Sequence, residues 1–183
     1  MRKIFMTLVA LVMTVAANAQ VFVGGEVGFW RNYEDNHTSF TVAPQVGYNI
    51  TNKWAIGLEF DYDYNYDGLK VNGVGAAPFA RYTAAKAGPV SFLLDAGFAI
   101  NTYKAKYDGE ESDSYNAWQI GVTPGVKVSL TKSVDFIAAL GFLGYRDNDD
   151  PDFKGVGGHP YGEKGFGFHF NTNDLKFGVI YNF

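Results

Sequence analysis

From residue 20 to the end of the chain, apolar and polar positions alternate with a period of two. Trp54, Ile56, Leu58, Phe60, Tyr62 and Tyr64 hold one parity, and Ala55, Gly57, Glu59, Asp61, Asp63 and Asn65 hold the other. The same alternation sets Phe92, Leu94, Ala96, Phe98 and Ile100 against Leu93, Asp95, Gly97, Ala99 and Asn101. It recurs in Trp118, Ile120, Val122, Val126, Val128 and Leu130 against Gln119, Gly121, Thr123, Gly125, Lys127 and Ser129. A period of two marks β-strands with chemically distinct faces. No stretch of this region carries an amphipathic helical period.

Turn signals cut the region into eight strands, at 21–32, 38–50, 53–65, 71–83, 90–104, 115–130, 134–146 and 165–183. Three connections are short, around Thr51-Asn52, Lys86 to Pro89, and Thr131 to Ser133. Four are longer or more polar: RNYEDNHT (31–38), YDGLK (66–70), KAKYDGEESDS (104–114) and RDNDDPDFKGVGGHPYGEKG (146–165). An antiparallel up-and-down barrel of eight strands, with both ends of the sheet on one side, needs three turns on that side and four loops opposite. Short turns on one side and longer loops on the other are also the habit of transmembrane barrels. Eight strands enclose a bore just wide enough for side chains to fill. The small and charged parity therefore faces inward and the bulky apolar parity faces outward, the reverse of a soluble barrel. The expected fold is all-β: an eight-stranded antiparallel up-and-down transmembrane β-barrel.

The first residues, MRKIFMTLVALVMTVAANAQ, have a basic start, an apolar run from Ile4 to Val15 and a small-residue site at Ala17-Asn18-Ala19. This is the layout of a secretory signal peptide, cleaved after Ala19. The run is well short of the ~20 residues a membrane helix needs. Residues 1–19 are thus expected to be a leader and residues 20–183 the barrel domain. Loss of Arg2 and Lys3 takes the formal charge from −4 to −6. That balance offers no basic stripe for nucleic acid. The absence of cysteine excludes disulfides, thiolate metal sites, cysteine nucleophiles and a lipid-anchored N-terminus. Aromatic residues make up 17% of the chain, which suits the two membrane–water boundaries. Tyr48, Trp54, Tyr82, Tyr181 and Phe183 fall beside the short turns or the terminus, and Trp30, Tyr64, Tyr103 and Trp118 near the longer loops.

The leader, the period-two strands and the final strand LKFGVIYNF together resemble the OmpA/OmpX-type outer-membrane β-barrel family, over essentially all of residues 20–183. The resemblance implies a cell outer-membrane location in a Gram-negative envelope. It implies surroundings of outer-membrane lipid and lipopolysaccharide, and insertion by the outer-membrane barrel assembly machinery. In that family the terminal aromatic strand is the assembly signal, matched here by Phe177, Val179, Tyr181 and Phe183.

The inward parity gathers Glu26, Glu59, Asp61, Asp63 and Asp95 with Arg81, Lys127 and Lys176. Ionisable groups at membrane depth mark a lumen or a functional path. The plainer reading is a charge-paired filling of a small bore, and the sharper one a narrow conduction path. If Val21 pairs with Phe183, partner numbers on the first and last strands sum to 204. Glu26 then faces Gly178, Lys176 faces Gly28, and the two charges become diagonal neighbours. Pro44, Pro78 and Pro124 fall inside strands, where each removes a ladder donor, and are expected to mark bulges. Phe166, Phe168 and Phe170 are out of phase with Leu175 to Phe183, so an irregularity is expected at NTND (171–174).

Other chemistry is sparse. His37-Thr38-Ser39 has the His-x-Ser form used, with a glutamate, by eight-stranded outer-membrane lipid A deacylases. There the pair sits on a late lipid-facing strand within a longer motif; here it lies in the first outer loop without those flanks, and no catalytic residue is assigned. Asp147, Asp149, Asp150 and Asp152 form an acidic cluster near Gly155, Gly157 and Gly158. Oxygen-rich loops suit calcium, but the spacing lacks the EF-hand pattern, and a solvated loop is the ordinary reading. No phosphate-cradling loop, activated serine pair or zinc motif is present, and no cofactor is expected.

Three functions follow in order: a structural and interaction barrel that displays four polar loops to an extracellular protein or surface ligand, a small-solute channel, and a lipid-modifying enzyme. The parity itself is testable. Leu58→Arg or Val122→Arg places a cation on the lipid face and is expected to cost about 2–4 kcal/mol near the midplane. Refolding yield into lipid vesicles measures it, and normal assembly of Leu58→Arg beside failure of Glu59→Leu would invert the assignment of faces.

Overall fold

The structure, a computed structural model, describes residues 20–34, 36–66, 68–107, 110–111, 114–149, 164–170 and 175–183. The expected leader lies outside these residues. The chain forms an all-β, closed, antiparallel eight-stranded barrel. Its strands are β1 (Val21–Asn32), β2 (His37–Asn49), β3 (Trp54–Tyr66), β4 (Lys70–Ala87), β5 (Val90–Tyr107) and β6 (Tyr115–Ser129). Strand β7 has two segments, Val134–Ala139 and Phe142–Asn148, and so does β8, Gly165–His169 and Lys176–Asn182. A two-residue stretch, Glu110–Glu111, folds back on β5. Each strand pairs with the next, and β8 returns to β1.

Closure uses the register expected from the sequence. Phe22 pairs with Asn182 and Glu26 with Gly178. Among the described residues the seam runs from Val21, whose carbonyl accepts the Phe183 N–H at 3.1 Å, to Val27, the upper part of β1 pairs with β2 alone, and Gly165–His169 pairs with β7 alone. Closure leaves no run of unpaired edge groups along the seam.

The short turns show how local sequence fixes the lower rim. Thr51 Oγ1 accepts the backbone N–H groups of Lys53 and Trp54 at 3.1 and 3.0 Å. Thr131 Oγ1 does the same for Ser133 and Val134 at 3.2 and 3.0 Å. A threonine at the head of each turn thus holds the chain through its reversal. The third turn uses Gly88, whose φ of +60° is one that glycine accepts without strain. The β4–β5 hairpin extends past the expected ends, to Ala87 below and Tyr107 above.

Pro44 and Pro78 behave differently from expectation, whereas Pro124 does face an irregularity. Pairing on either side of Pro44 and Pro78 keeps one register, with no extra residue. Lacking an N–H, these residues leave gaps in the ladder instead of bulges. The β3 pairing skips Ala43 and Pro44, and the β5 pairing skips Ala77 and Pro78. The register shifts at Thr83/Ala85, and again between the segments of β7, opposite Pro124, where Gly141 takes φ +78°. That second bulge inverts the parity of β7: Ile137 and Phe142 are both buried although their numbers differ in parity. Between its own segments β8 carries four more residues than pairing with β7 requires. This brings Phe166 and Phe168 opposite Tyr145 and Leu143 on the outward face. Residues 171–174 themselves lie outside the described ones.

The glycines of the inward face are landing sites for large side chains. A Cβ on Gly47 would stand 2.2 Å from Phe22 Cζ, one on Gly57 2.4 Å from Phe79 Cζ, and one on Gly73 2.1 Å from Tyr103 Cε1. Each ring reaches across the bore wall and lies flat on a neighbouring strand where no side chain stands. Gly73→Ala is therefore expected to destabilise the barrel by about 1–3 kcal/mol, the cost of overpacking. Gly28→Ala, whose nearest neighbour would be 3.7 Å away, is expected to be near neutral. Urea unfolding of both variants in detergent micelles checks the contrast.

Candidate functional site in the lumen

Two apolar clusters and a set of ionisable groups fill the bore. Near the short-turn rim Phe22, Ala55, Ile137 and Ile180 pack together with Phe79. Near the loop rim Val71, Tyr103, Ala105, Tyr115 and Ala117 form a second cluster, with the Tyr103 and Tyr115 rings stacked at 5.3 Å. Tyr103 is thus a bore residue and not a boundary aromatic as its place near a loop suggested; its own strand parity points it inward with Ala99 and Asn101.

Arg81 on β4 is the best-held charge. Its Nε and Nη2 donate to the two oxygens of Asp95 on β5 at 2.8 and 2.7 Å. This is the two-pronged geometry that guanidinium and carboxylate favour. Nη2 also donates to Gln45 Oε1 at 3.2 Å, and Gln45 Nε2 donates to Glu26 Oε1 at 3.4 Å. Four strands, β1, β2, β4 and β5, are tied through one polar chain. The guanidinium also lies over the Phe79 and Phe22 rings, at 5.0 and 5.8 Å from their centres, which joins the polar chain to the apolar cluster.

Lys176 on β8 reaches across the bore. Its Nζ stands 3.9 Å from Glu59 Oε1 and 3.9 Å from Asp61 Oδ1, both on β3. The sequence places Lys176 beside Glu26; the structure turns its ammonium to two further carboxylates, while Glu26 lies in the field of both Lys176 and Arg81. Gly28 leaves space for the Lys176 stem, whose Cγ would be 3.7 Å from a Cβ there. Asp63 accepts from Thr41 Oγ1 at 2.7 Å, Tyr103 Oη at 3.2 Å and Asn101 Nδ2 at 3.4 Å. Lys127 on β6 pairs with Asp135 at 3.3 Å, and Asn182 Nδ2 donates to the same carboxylate at 3.0 Å. Asp135, Gln45 and Asn101 were not among the expected groups. Gln45 and Asn101 share the inward parity, and Asp135 alternates with Phe136, so a fuller use of parity would have found all three.

At the loop rim, two members of the acidic cluster are engaged with protein partners. Asp147 accepts from Tyr145 Oη at 3.2 Å and pairs with Lys164 at 3.1 Å. The hydrogen bond to Asp147, aided by its charge, raises the Lys164 pKa. Asp149 accepts from Asn116 N and Nδ2 at 2.6 and 3.1 Å. Asp150 and Asp152 lie outside the described residues, among which no group of His, Asp and Glu is arranged to hold a metal. His37 and Ser39 open β2 on the same parity as the buried Ala43 and Gln45. The pair faces the bore, and the buried His37 Nε2 has no hydrogen-bond partner.

The outward face is the complement of this interior. Phe29, Ile56, Phe60, Val74, Phe92, Ile120 and Val179 are among its exposed apolar side chains, a surface far larger than a protein in water leaves uncovered. The architecture is a closed eight-stranded antiparallel barrel with an apolar outer face. Solved structures that share this fold include two outer-membrane-protein barrels. Neisserial surface protein A matches with a TM-score of 0.52 and 21% identity, over 89% of this chain and 96% of that one. The N-terminal β-barrel domain of Pseudomonas aeruginosa OprF matches with a TM-score of 0.52 and 16% identity, over 90% and 96%. No family model and no curated protein matches the sequence.

The two ion-pair systems are expected to differ in strength. Arg81→Met leaves Asp95 without its partner in a mostly dry position and should cost about 3–5 kcal/mol. Lys176→Met should cost less, because its contacts are longer and its side chain is about one-third exposed (31%). Double-mutant cycles with Asp95→Asn and Glu59→Gln, read by urea unfolding, should give the larger coupling for Arg81–Asp95.

Proposed function

We propose that the chain is a cell outer-membrane barrel that works through its surface, as a rigid support for polar loops that meet an extracellular protein or another surface ligand. The observation that carries this reading is the filled bore. Phe22, Val71, Asn101, Tyr103 and Ile137 are each less than 2% exposed or close to it, and they come from β1, β4, β5 and β7. Large side chains at both ends of the bore, and ion pairs between and beside them, favour a support over an open conduit. The bulky outward side chains suit hydrocarbon, where strands can cross only in a closed sheet. One structural neighbour is described as a surface protein, a role that suits loops held on a stiff wall. A lipid-modifying enzyme is disfavoured because His37 and Ser39 face the bore and not the lipid.

In this reading residues 1–19 are an export signal removed after Ala19. Outer-membrane lipid and lipopolysaccharide surround the wall. Phe177, Val179, Tyr181 and Phe183 lie exposed on the outward face of the closing strand, where the barrel assembly machinery would read them. The charged groups Glu26, Glu59, Asp61, Asp95, Arg81, Lys127 and Lys176 hold the strands in register. They carry no catalytic role, and no cofactor takes part.

The purified chain should show heat-modifiable migration, running at different positions before and after boiling, because a closed barrel resists detergent until heated. In planar bilayers it should give no steady conductance. A stable, ion-selective open level in most insertions would favour the channel, and a soluble monomer without detergent and without a gel shift would remove the membrane reading altogether.

A further inference from the structure

The outward face is not evenly bulky. Between β2 and β5 it opens into a groove of about 630 Å³, lined by Val46, Tyr48, Ile56, Leu58, Ala80 and Ala96 among others. It is an open, shallow depression, a shape along which an acyl chain can lie, rather than an enclosed cavity. Its cause is local: Ala80 pairs with Ala96 on one side and Ile56 on the other. Two alanines stand side by side, while the next row toward the turns carries Trp54, Tyr82 and Leu94.

Below the groove the chemistry changes in a fixed order. Ile56 lines it; Trp54 lies beneath, its ring 4.6 Å from that of Tyr82. Lys53 ends the turn beneath them, and its carbonyl accepts the Thr83 N–H at 2.8 Å, which fixes that turn to β4. At ~3.4 Å per residue, Lys53 stands about 10 Å below Ile56 along the strand. Apolar slot, aromatic pair and cation succeed one another as acyl chain, ester region and phosphate do in a phospholipid.

The charge distribution selects the headgroup. Each of the three short turns bears one exposed lysine, Lys53, Lys86 or Lys132, and no Asp or Glu. The acids outside the bore, such as Glu34, Asp147 and Asp149, lie at the opposite end. Lys86 belongs to the hairpin that also carries Ala80 and Ala96; beyond the register shift at Thr83/Ala85 it pairs with Ser91 in the exposed end of that hairpin, so its long side chain leaves from the rim below the groove rather than from the groove's own face. A zwitterionic headgroup would leave these lysines without a net counter-charge, whereas an anionic one matches them.

We propose that the groove, with Lys53 and Lys86 beneath it, binds one anionic phospholipid from the leaflet on the short-turn side. The proposal rests on the membrane-barrel reading above. Trp54 is its natural reporter. In a Trp30→Phe/Trp118→Phe background, the barrel is reconstituted into phosphatidylcholine vesicles containing brominated phosphatidylglycerol or brominated phosphatidylcholine, and quenching of Trp54 gives their relative association. The anionic lipid is expected to be favoured about threefold or more. The preference should fall toward one in Lys53→Gln/Lys86→Gln and survive in Lys132→Gln. Filling the groove with Ala80→Leu/Ala96→Leu should lower quenching by both lipids while the heat-modifiable gel shift persists. Equal association of the two lipids with a barrel that shows the gel shift overturns the site alone. A preference lost equally in Lys132→Gln overturns it too, in favour of a diffuse basic rim. Absence of the gel shift in the unmodified chain overturns the barrel reading on which the site depends.

Discussion

The bore of this barrel has one volume to share, and the rest of the structure follows from that limit. With bulky residues committed to the outside, every charged or amide side chain that faces away from lipid has to fit in a space scarcely wider than two side chains. The glycines make the fit possible. Where Phe22, Phe79 or Tyr103 leans over the adjacent strand, that strand presents a bare backbone at Gly47, Gly57 or Gly73. Large and absent side chains alternate, and the interior closes without a separate core element.

The same limit governs electrostatics. Ions taken from water need short contacts and full hydrogen bonding to break even. Arg81 meets that requirement through Asp95, Gln45 and two aromatic rings. Asp63 meets it without a cation, through three neutral donors. Lys176 meets it more loosely, shared between two carboxylates. These contacts join strands far apart in sequence, so the polar interior sets which strands lie where. That stiffness is what loops on a wall need from the wall.

Much of this was legible in the sequence because a period of two leaves little freedom. Once Leu58 and Val122 face out, Glu59 and Lys127 face in, and pairing the strand ends Val21 and Phe183 gives the seam register, which sets Glu26 opposite Gly178. The prolines were less legible. A missing N–H can be absorbed by a bulge or by a gap, and only the pairing around Pro44 and Pro78 distinguishes them. Tyr103 lies close to a loop in the chain, yet its strand parity turns it into the bore. The partner of Lys176 was illegible for another reason: the side chain is long enough to reach beyond the adjacent strand, and pairing rules describe neighbours only. The groove beside Ala80 needed the sheet, since its two alanines are sixteen positions apart in the chain.

The short seam separates the wall into parts with different freedom to vary. Among the described residues, Gly165–His169 hangs on a single ladder to β7, and the upper half of β1 on a single ladder to β2. An insertion or exchange in the last outer loop is transmitted to that hairpin and stops there, because the closing pairs from Phe22 to Val27 lie below it. Selection could therefore rewrite the longest loop and its stem repeatedly without touching the ladder that makes the sheet a barrel. A graft for display would have the same licence.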